Sequence, residues 1–245
     1  MKLTSVLLAS AAIVLVAGAA HAADLIVTEP EPTMAMPSAH DWSGAYVGVS
    51  GGYGMGTVDW TGEYFLGGVG VGSESGSYDI AGWLLGVQAG ANMQMDSFVL
   101  GIEGDISWTN ISGEGDPIDP LDATPTVPSG SIDWLATLRG RAGVALDQVL
   151  LYGTAGVAYG TGSIGLTNLD GAGDDRTADI TAPGYVVGVG AEVAIDENLS
   201  VKGEYTYTAL TMDEVQFDGV PPADYLAVNS DIAIHTFKVG LNYAF

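Results

Sequence analysis

Eight charged side chains stand where an alternating chain would turn them to one face. Arg139 and Arg141 are two residues apart, as are Glu103 with Asp105 and Lys202 with Glu204, while Glu192 and Lys238 lie in similar alternating stretches. In a strand, residues i and i+2 project to the same side, so each doublet points one way. Carboxylates opposite guanidinium or ammonium groups make charge-assisted hydrogen bonds, and one arginine can hold two oxygens in a fork. This is the chemistry of an ion-pair lattice rather than of a reaction centre. The chain has only six Lys and Arg against 30 Asp and Glu, so four of its six cations lie at these positions.

The other chemistry-bearing residues are few. His40 precedes the first alternating segment, and His235 opens the last one on its apolar register, so the two belong to opposite ends of the fold. His235 near Asp231 or a serine is the nearest approach to a general base, but no nucleophile motif accompanies it, and it reads as a rim residue. No catalytic residue is assigned. With no cysteine, thiol nucleophiles, Cys-ligated metals and disulfides are excluded. Gly160 to Gly165 spells G-x-G-x-x-G, but a dinucleotide site needs a helix to follow, and the continuation LTNLDGAGDD is loop-like. Asp170 to Asp175 lacks the alternating oxygen ligands and closing glutamate of a calcium loop, so it reads as a solvated acidic stretch. No cofactor and no metal is expected.

The elements that must position the charges are strands. Period-two alternation runs through eight segments, roughly 44–53, 79–95, 98–108, 132–144, 149–160, 184–194, 199–208 and 234–245. Short turns at Asp96-Ser97, Ala145 to Gln148 and Asp196 to Asn198 interleave with long polar stretches at about 54–78, 109–131, 161–183 and 209–231. The alternation predicts an all-β, eight-stranded antiparallel transmembrane up-and-down β-barrel with four long extracellular loops. Tilted strands of about 9–11 residues suffice to cross the hydrocarbon layer. Ahead of the barrel (41–245), residues 1–22 have the positive start, apolar run and Ala20-His21-Ala22 site of a cleaved signal peptide, and 23–40 read as an extended, proline-rich periplasmic arm.

A soluble barrel and a membrane barrel alternate alike, so polarity has to separate them. One face carries glycine, small residues and the charge set Glu103, Asp105, Arg139, Arg141, Glu192, Lys202, Glu204 and Lys238. The other is apolar, with Trp83, Trp108, Trp134, Tyr159, Tyr185 and Tyr243 towards strand ends. A cramped polar lumen and aromatic girdles at the membrane–water boundaries account for both. The formal net charge of −24 excludes binding nucleic acid through its phosphates.

DWSGAYVGVSGGYG (41–54), FVLGIEGDISW (98–108), WLATLRGRAGVA (134–145) and HTFKVGLNYAF (235–245) together resemble the porin-family small outer-membrane proteins of alphaproteobacteria, the opacity-type barrels. That resemblance implies an eight-stranded barrel in the bacterial outer membrane that is not an enzyme. Phe237, Val239, Leu241, Tyr243 and the terminal Phe245 then look like the signal read by barrel-assembly machinery. Other implied partners are outer-membrane lipid and lipopolysaccharide. The aromatics Trp60, Tyr64, Phe65, Phe217 and Tyr225 in the long stretches offer either a surface for a host or surface ligand or rings that pack the loops onto one another. The role expected is structural and interfacial, with a charged, largely plugged lumen and acidic loops bearing Glu114, Asp116, Asp119, Asp122, Asp213, Glu214 and Asp218. The alternatives are a narrow passive channel for small solutes and loop-mediated adhesion or ligand binding.

Overall fold

The computed structural model describes residues 40–117, 127–167, 175–218 and 224–245, apart from the Asp213 side chain. The expected signal peptide, the arm up to residue 39, Asp119, Asp122 and 170–174 lie outside them.

Eight strands follow in order: β1 (Gly44–Leu66), β2 (Val69–Met95), β3 (Phe98–Glu114), β4 (Val127–Leu146), β5 (Val149–Thr167), β6 (Arg176–Ala194), β7 (Leu199–Asp218) and β8 (Tyr225–Ala244). Each pairs antiparallel with its chain neighbour, and β8 pairs with β1, so the ring closes. At the end holding His40 and Phe245 the turns are tight. Asp96 and Asp147 both take a left-handed φ of 54°, which short polar side chains tolerate. The Asp196 carboxylate accepts from the Asn198 and Leu199 amides, each at 2.8 Å, and fixes the third turn.

The far end differs from the sequence expectation. The described residues of the stretches 54–78, 109–131, 161–183 and 209–231 are mostly strand, which extends well beyond the expected segments, and β1 meets β2 through two residues, Gly67 and Gly68. Both have positive φ (58° and 77°), the backbone of a tight hairpin turn that glycine adopts without strain. The physical reason is a change of polarity with unchanged parity. Along the basal part of β1, Val47, Val49 and Tyr53 face out and Gly48 and Ser50 face in; beyond Met55, Asp59, Thr61 and Glu63 face out and Val58, Trp60 and Tyr64 face in. A search for one apolar face loses the strand at that point.

The same inversion occurs on the other strands, giving two tiers. The basal tier has an apolar exterior and a polar lumen. The distal tier has a polar exterior and an interior filled by Val58, Trp60, Tyr78, Ile80, Ile111, Ile132, Leu210 and Ile232, with Tyr64, Ile164, Phe217 and Leu226 above them. Trp60, Tyr64 and Phe217 are therefore core, and Phe65 stacks on Tyr225 at 4.7 Å, so these rings pack the wall instead of forming an exposed binding surface.

Closure is confined to the basal part. β2 pairs with β3 only from Ala81↔Ser112 downward, and β6 with β7 only from Gly184↔Leu210 downward, while the other ladders continue towards the tips. Above those points the described wall is two four-stranded sheets, β7-β8-β1-β2 and β3-β4-β5-β6, packed through their apolar faces. Pro183, at the foot of the β6–β7 seam, brings no N–H, and just below the β2–β3 seam the Asn110 side chain takes the Trp83 amide at 2.8 Å.

Candidate functional site: the buried charge lattice of the lumen

The basal lumen is filled by side chains from all eight strands, with room left for the larger ones by glycines such as Gly90 of β2 and Gly190 of β6. A Cβ on Gly90 would lie 2.4 Å from the Tyr46 hydroxyl, and one on Gly190 would lie 2.5 Å from the Tyr152 ring. The two tyrosines thus occupy space that only glycine opposite them leaves free. Around them the eight charged residues are all buried, none more than 7% exposed.

Arg139 is the hub. It faces Glu103 directly across the β3–β4 ladder and reaches it at 2.6 Å, Asp105 at 3.2 Å and Glu204, on β7, at 2.7 Å. Lys202 of β7 meets both Glu103 oxygens at 2.8 Å, and Lys238 of β8 meets Asp105 at 2.8 Å. β3 and β4 are thereby tied across the lumen to β7 and β8. Arg141 stands apart from Glu103 and Asp105: it pairs with Glu192 of β6 at 2.8 Å, donates to the Tyr46 hydroxyl at 3.0 Å and stacks over the Tyr152 ring at 4.0 Å.

Neutral groups complete the lattice. Tyr46 donates to Glu103 (2.8 Å) and Tyr152 to Glu204 (3.0 Å), while Ser200 and Asn242 donate to Glu192, each at 2.6 Å. Thr137 donates to Asp105, and Gln88 to Asn242 at 2.7 Å. The sequence reasoning missed Tyr46 and Tyr152. Both stand on the polar register, two and four residues from Gly48 and Gly156, and a large ring among glycines was the signal available. Four cations face four carboxylates, so the lumen is formally neutral.

Trp42, just before β1, closes the basal mouth. It is 6% exposed and packs on Val99, Leu150, Tyr152 and Ala194, with its amide bonded to Gln94 Oε1 at 2.9 Å. The preceding Asp41 carboxylate accepts from the Ser43 amide at 2.9 Å, and that bond holds its pKa below the usual aspartate value. At the distal end of the lattice, Lys238 touches Ser107 at 3.4 Å, and the apolar interior begins above it at Leu84, Leu135 and Ile234.

The remaining sequence candidates are dispersed. His235 is exposed on the outer face, its Nδ1 bonded to the Tyr205 hydroxyl at 2.7 Å and not to Asp231. His40 packs edge-on against Trp42 at 4.7 Å, at the basal end. Gly160 to Gly165 lie within β5, not in a turn leading into a helix, and the next described element is β6. Glu114, Asp116, Glu214 and Asp218 are exposed. Phe237, Val239, Leu241, Tyr243 and Phe245 form one outward row, between 42% and 76% exposed.

The model of the outer membrane protein beta-barrel domain matches residues 9–245. The 31 kDa outer-membrane immunogenic protein of Brucella melitensis biotype 1 is 35% identical, over 98% of this chain and 99% of its own length. The 22 kDa outer membrane protein of Rhizobium leguminosarum bv. viciae is 29% identical over 74% of this chain and 70% of its own. Among solved structures, the outer membrane protein OprG from Pseudomonas aeruginosa superposes with a TM-score of 0.53 at 13% identity, over 84% of this chain and 98% of its own.

Proposed function

The chain belongs to the outer membrane protein β-barrel domain family and resides in the bacterial outer membrane, and from that premise we propose that it is a structural barrel of the envelope with a sealed lumen. The observation that carries this reading is the lattice: eight buried charges, balanced four against four, lie across the bore with the apolar tier stacked above them. An eight-stranded barrel has an interior just wide enough for side chains to fill. An ion would have to displace ion pairs and then cross an apolar plug without hydration, which is costly at each step.

In this reading the apolar basal exterior faces lipid, and the acidic distal exterior faces outward beside lipopolysaccharide. Residues 1–22 are removed as a signal peptide, and 23–40 serve as a periplasmic arm. The Phe237-to-Phe245 row serves the barrel-assembly machinery. The role is non-catalytic and needs no cofactor.

Planar-bilayer recording on refolded protein tests it. Wild type is expected to give no steady unitary conductance, while Arg139→Ala combined with Trp42→Ala, which removes the hub and the basal stopper, gives more open events than wild type. Regular unitary steps from wild type would replace the sealed-lumen reading with the narrow channel.

A further inference from the structure

Above Ala81 and Gly184 the described wall consists of two sheets, and among the described residues these present four edges: β2, β3, β6 and β7. A free edge offers a row of unpaired N–H and C=O groups to any other chain, and proteins blunt such edges with proline, bulges, lysine or very short strands. Three of these edges are blunted. β6 has Pro183 at the foot of its seam, and at the top the Arg176 guanidinium donates across the gap to Asp218 O. β7 is broken by a register shift between Met212 and Val215. β3 is very short there, ending at Glu114, two residues past its last partner on β2.

The β2 edge has none of these devices between Gly72 and Tyr78. All seven residues pair with β1 in unbroken register, from Tyr64↔Gly72 to Val58↔Tyr78, and none pairs with β3 among the described residues. The stretch reads Gly-Ser-Glu-Ser-Gly-Ser-Tyr: its glycines and serines leave the backbone accessible, with Ser73, Ser75, Gly76 and Ser77 exposed, while Glu74 stands on the inward register and accepts from the Tyr64 hydroxyl at 3.4 Å.

The outer surface beside this edge is acidic without compensation. Asp59 of β1 and Asp231 of β8 are directly opposite each other, an unfavourable arrangement for like charges. Glu63 and Asp79 also face outward, and the described distal parts of β1, β2, β7 and β8 contain no Lys or Arg. A groove of about 430 Å³ runs over this face, bordered by Ser75, Ser77, Asp59, Thr61, Asn229 and Asp231. A groove beside a strand edge is where an added strand would lay its outward side chains.

We propose that the Gly72–Tyr78 edge of β2 docks an extended cationic peptide, which adds to the sheet as a further strand and lays a lysine or arginine across the groove towards Asp59 and Asp231. Main-chain bonds to the edge supply affinity, and the charge on alternate side chains supplies selectivity. The site lies in the distal tier, so it stands or falls independently of whether the lumen is sealed.

The test uses the full chain in lipid nanodiscs and, as probe, a fluorescent octapeptide of alternating lysine and valine. Saturable binding is expected, with amide exchange slowed at Gly72–Tyr78. An added strand uses one edge of the peptide, so N-methylating one alternate set of its backbone nitrogens should weaken binding by roughly tenfold or more, while methylating the other set leaves it unchanged. Asp59→Asn with Asp231→Asn should weaken the probe roughly threefold to tenfold. Ser75→Lys, which places a cation on the edge itself, should do the same in a barrel otherwise untouched. An octapeptide of alternating glutamate and valine should not bind. Affinity indifferent to both methylation patterns would mean adsorption to an acidic surface and would overturn the proposal. So would protection confined to other segments, or no binding by the lysine probe.

Discussion

Arg139 holds three carboxylates, and each has a second partner: Lys202 for Glu103, Lys238 for Asp105 and the Tyr152 hydroxyl for Glu204. Such a lattice is costly to bury, and its satisfaction is incomplete, since the Nε atoms of Arg139 and Arg141 have no hydrogen-bond partner among the described residues. Its value is better placed in register than in net stability. Glu103 stands opposite Arg139 only when β3 and β4 pair as they do, and a slip of either strand by one residue would turn its own charge out towards the apolar face and leave the other unpaired in the lumen. Arg139→Ala should cost about 3–5 kcal/mol, as expected for breaking a buried pair. Glu103→Ala should cost a similar amount because it also strips Lys202 of its carboxylate. Denaturant unfolding in detergent should show the double mutant less destabilised than the sum of the singles by about 0.5–3 kcal/mol. Strict additivity would mean that the two side chains act apart. The parity that sets Arg139 and Arg141 on one side is visible in the sequence because a strand alternates with period two. The partner of Arg141 is not, because it depends on the span of the lumen to Glu192 and on the Tyr152 ring beneath the guanidinium.

At the scale of elements, β8 carries the decisive step, since the ring exists only once the last strand has found the first. Its ladder to β1 runs from Tyr225 to Ala244, and beyond it the Phe245 amide still bonds Ala45 O at 3.0 Å. Phe245 is 76% exposed, so its ring adds little packing inside the protein, and its contribution must lie in lipid contact or in recognition during assembly. If recognition dominates, deleting Phe245 should lower the amount of inserted protein in cells far more than Phe237→Leu does, although both trim the same apolar row. Comparable insertion of the two variants would reduce the row to lipid contact alone. The basal ends of the strands are legible in the sequence because polar turn residues such as Asp96-Ser97 punctuate them sharply. The distal halves are not, for two physical reasons. Their inward residues are apolar while their outward ones are polar, the reverse of the segments they continue, and the connection at Gly67–Gly68 is hidden within a run of glycines that reads as loop.

At the scale of the whole molecule, the inversion of polarity supplies a ruler. Below it the exterior is apolar, with Ile102, Val157, Val189 and Val239 each more than 60% exposed, a surface that only a hydrocarbon environment would favour. Above it the described exterior is mainly Asp, Glu, Ser and Thr, with Leu66, Val69 and Val71 exposed at the β1–β2 tip. The change occurs at a belt of rings, Tyr53, Trp83, Trp108, Trp134, Tyr159, Tyr185 and Tyr207, within which Trp83 and Trp108 meet edge-to-face at 5.3 Å. Amphipathic rings settle at the boundary between hydrocarbon and water, so this belt should lie at the outer membrane interface. The five tryptophans sample three separate environments: Trp83, Trp108 and Trp134 in the belt, Trp60 inside the distal tier and Trp42 in the basal mouth. Variants that each keep a single tryptophan, refolded into lipids brominated at successive acyl positions, measure depth directly. The three belt residues should be quenched, most strongly by bromine near the headgroups and less by bromine near the chain ends. Trp60 should be insensitive to every position because it is enclosed by protein above the lipid. Trp60 quenched as well as the belt, or belt residues quenched best by bromine at the chain ends, would shift the membrane along the barrel and remove the basis for an exposed distal tier.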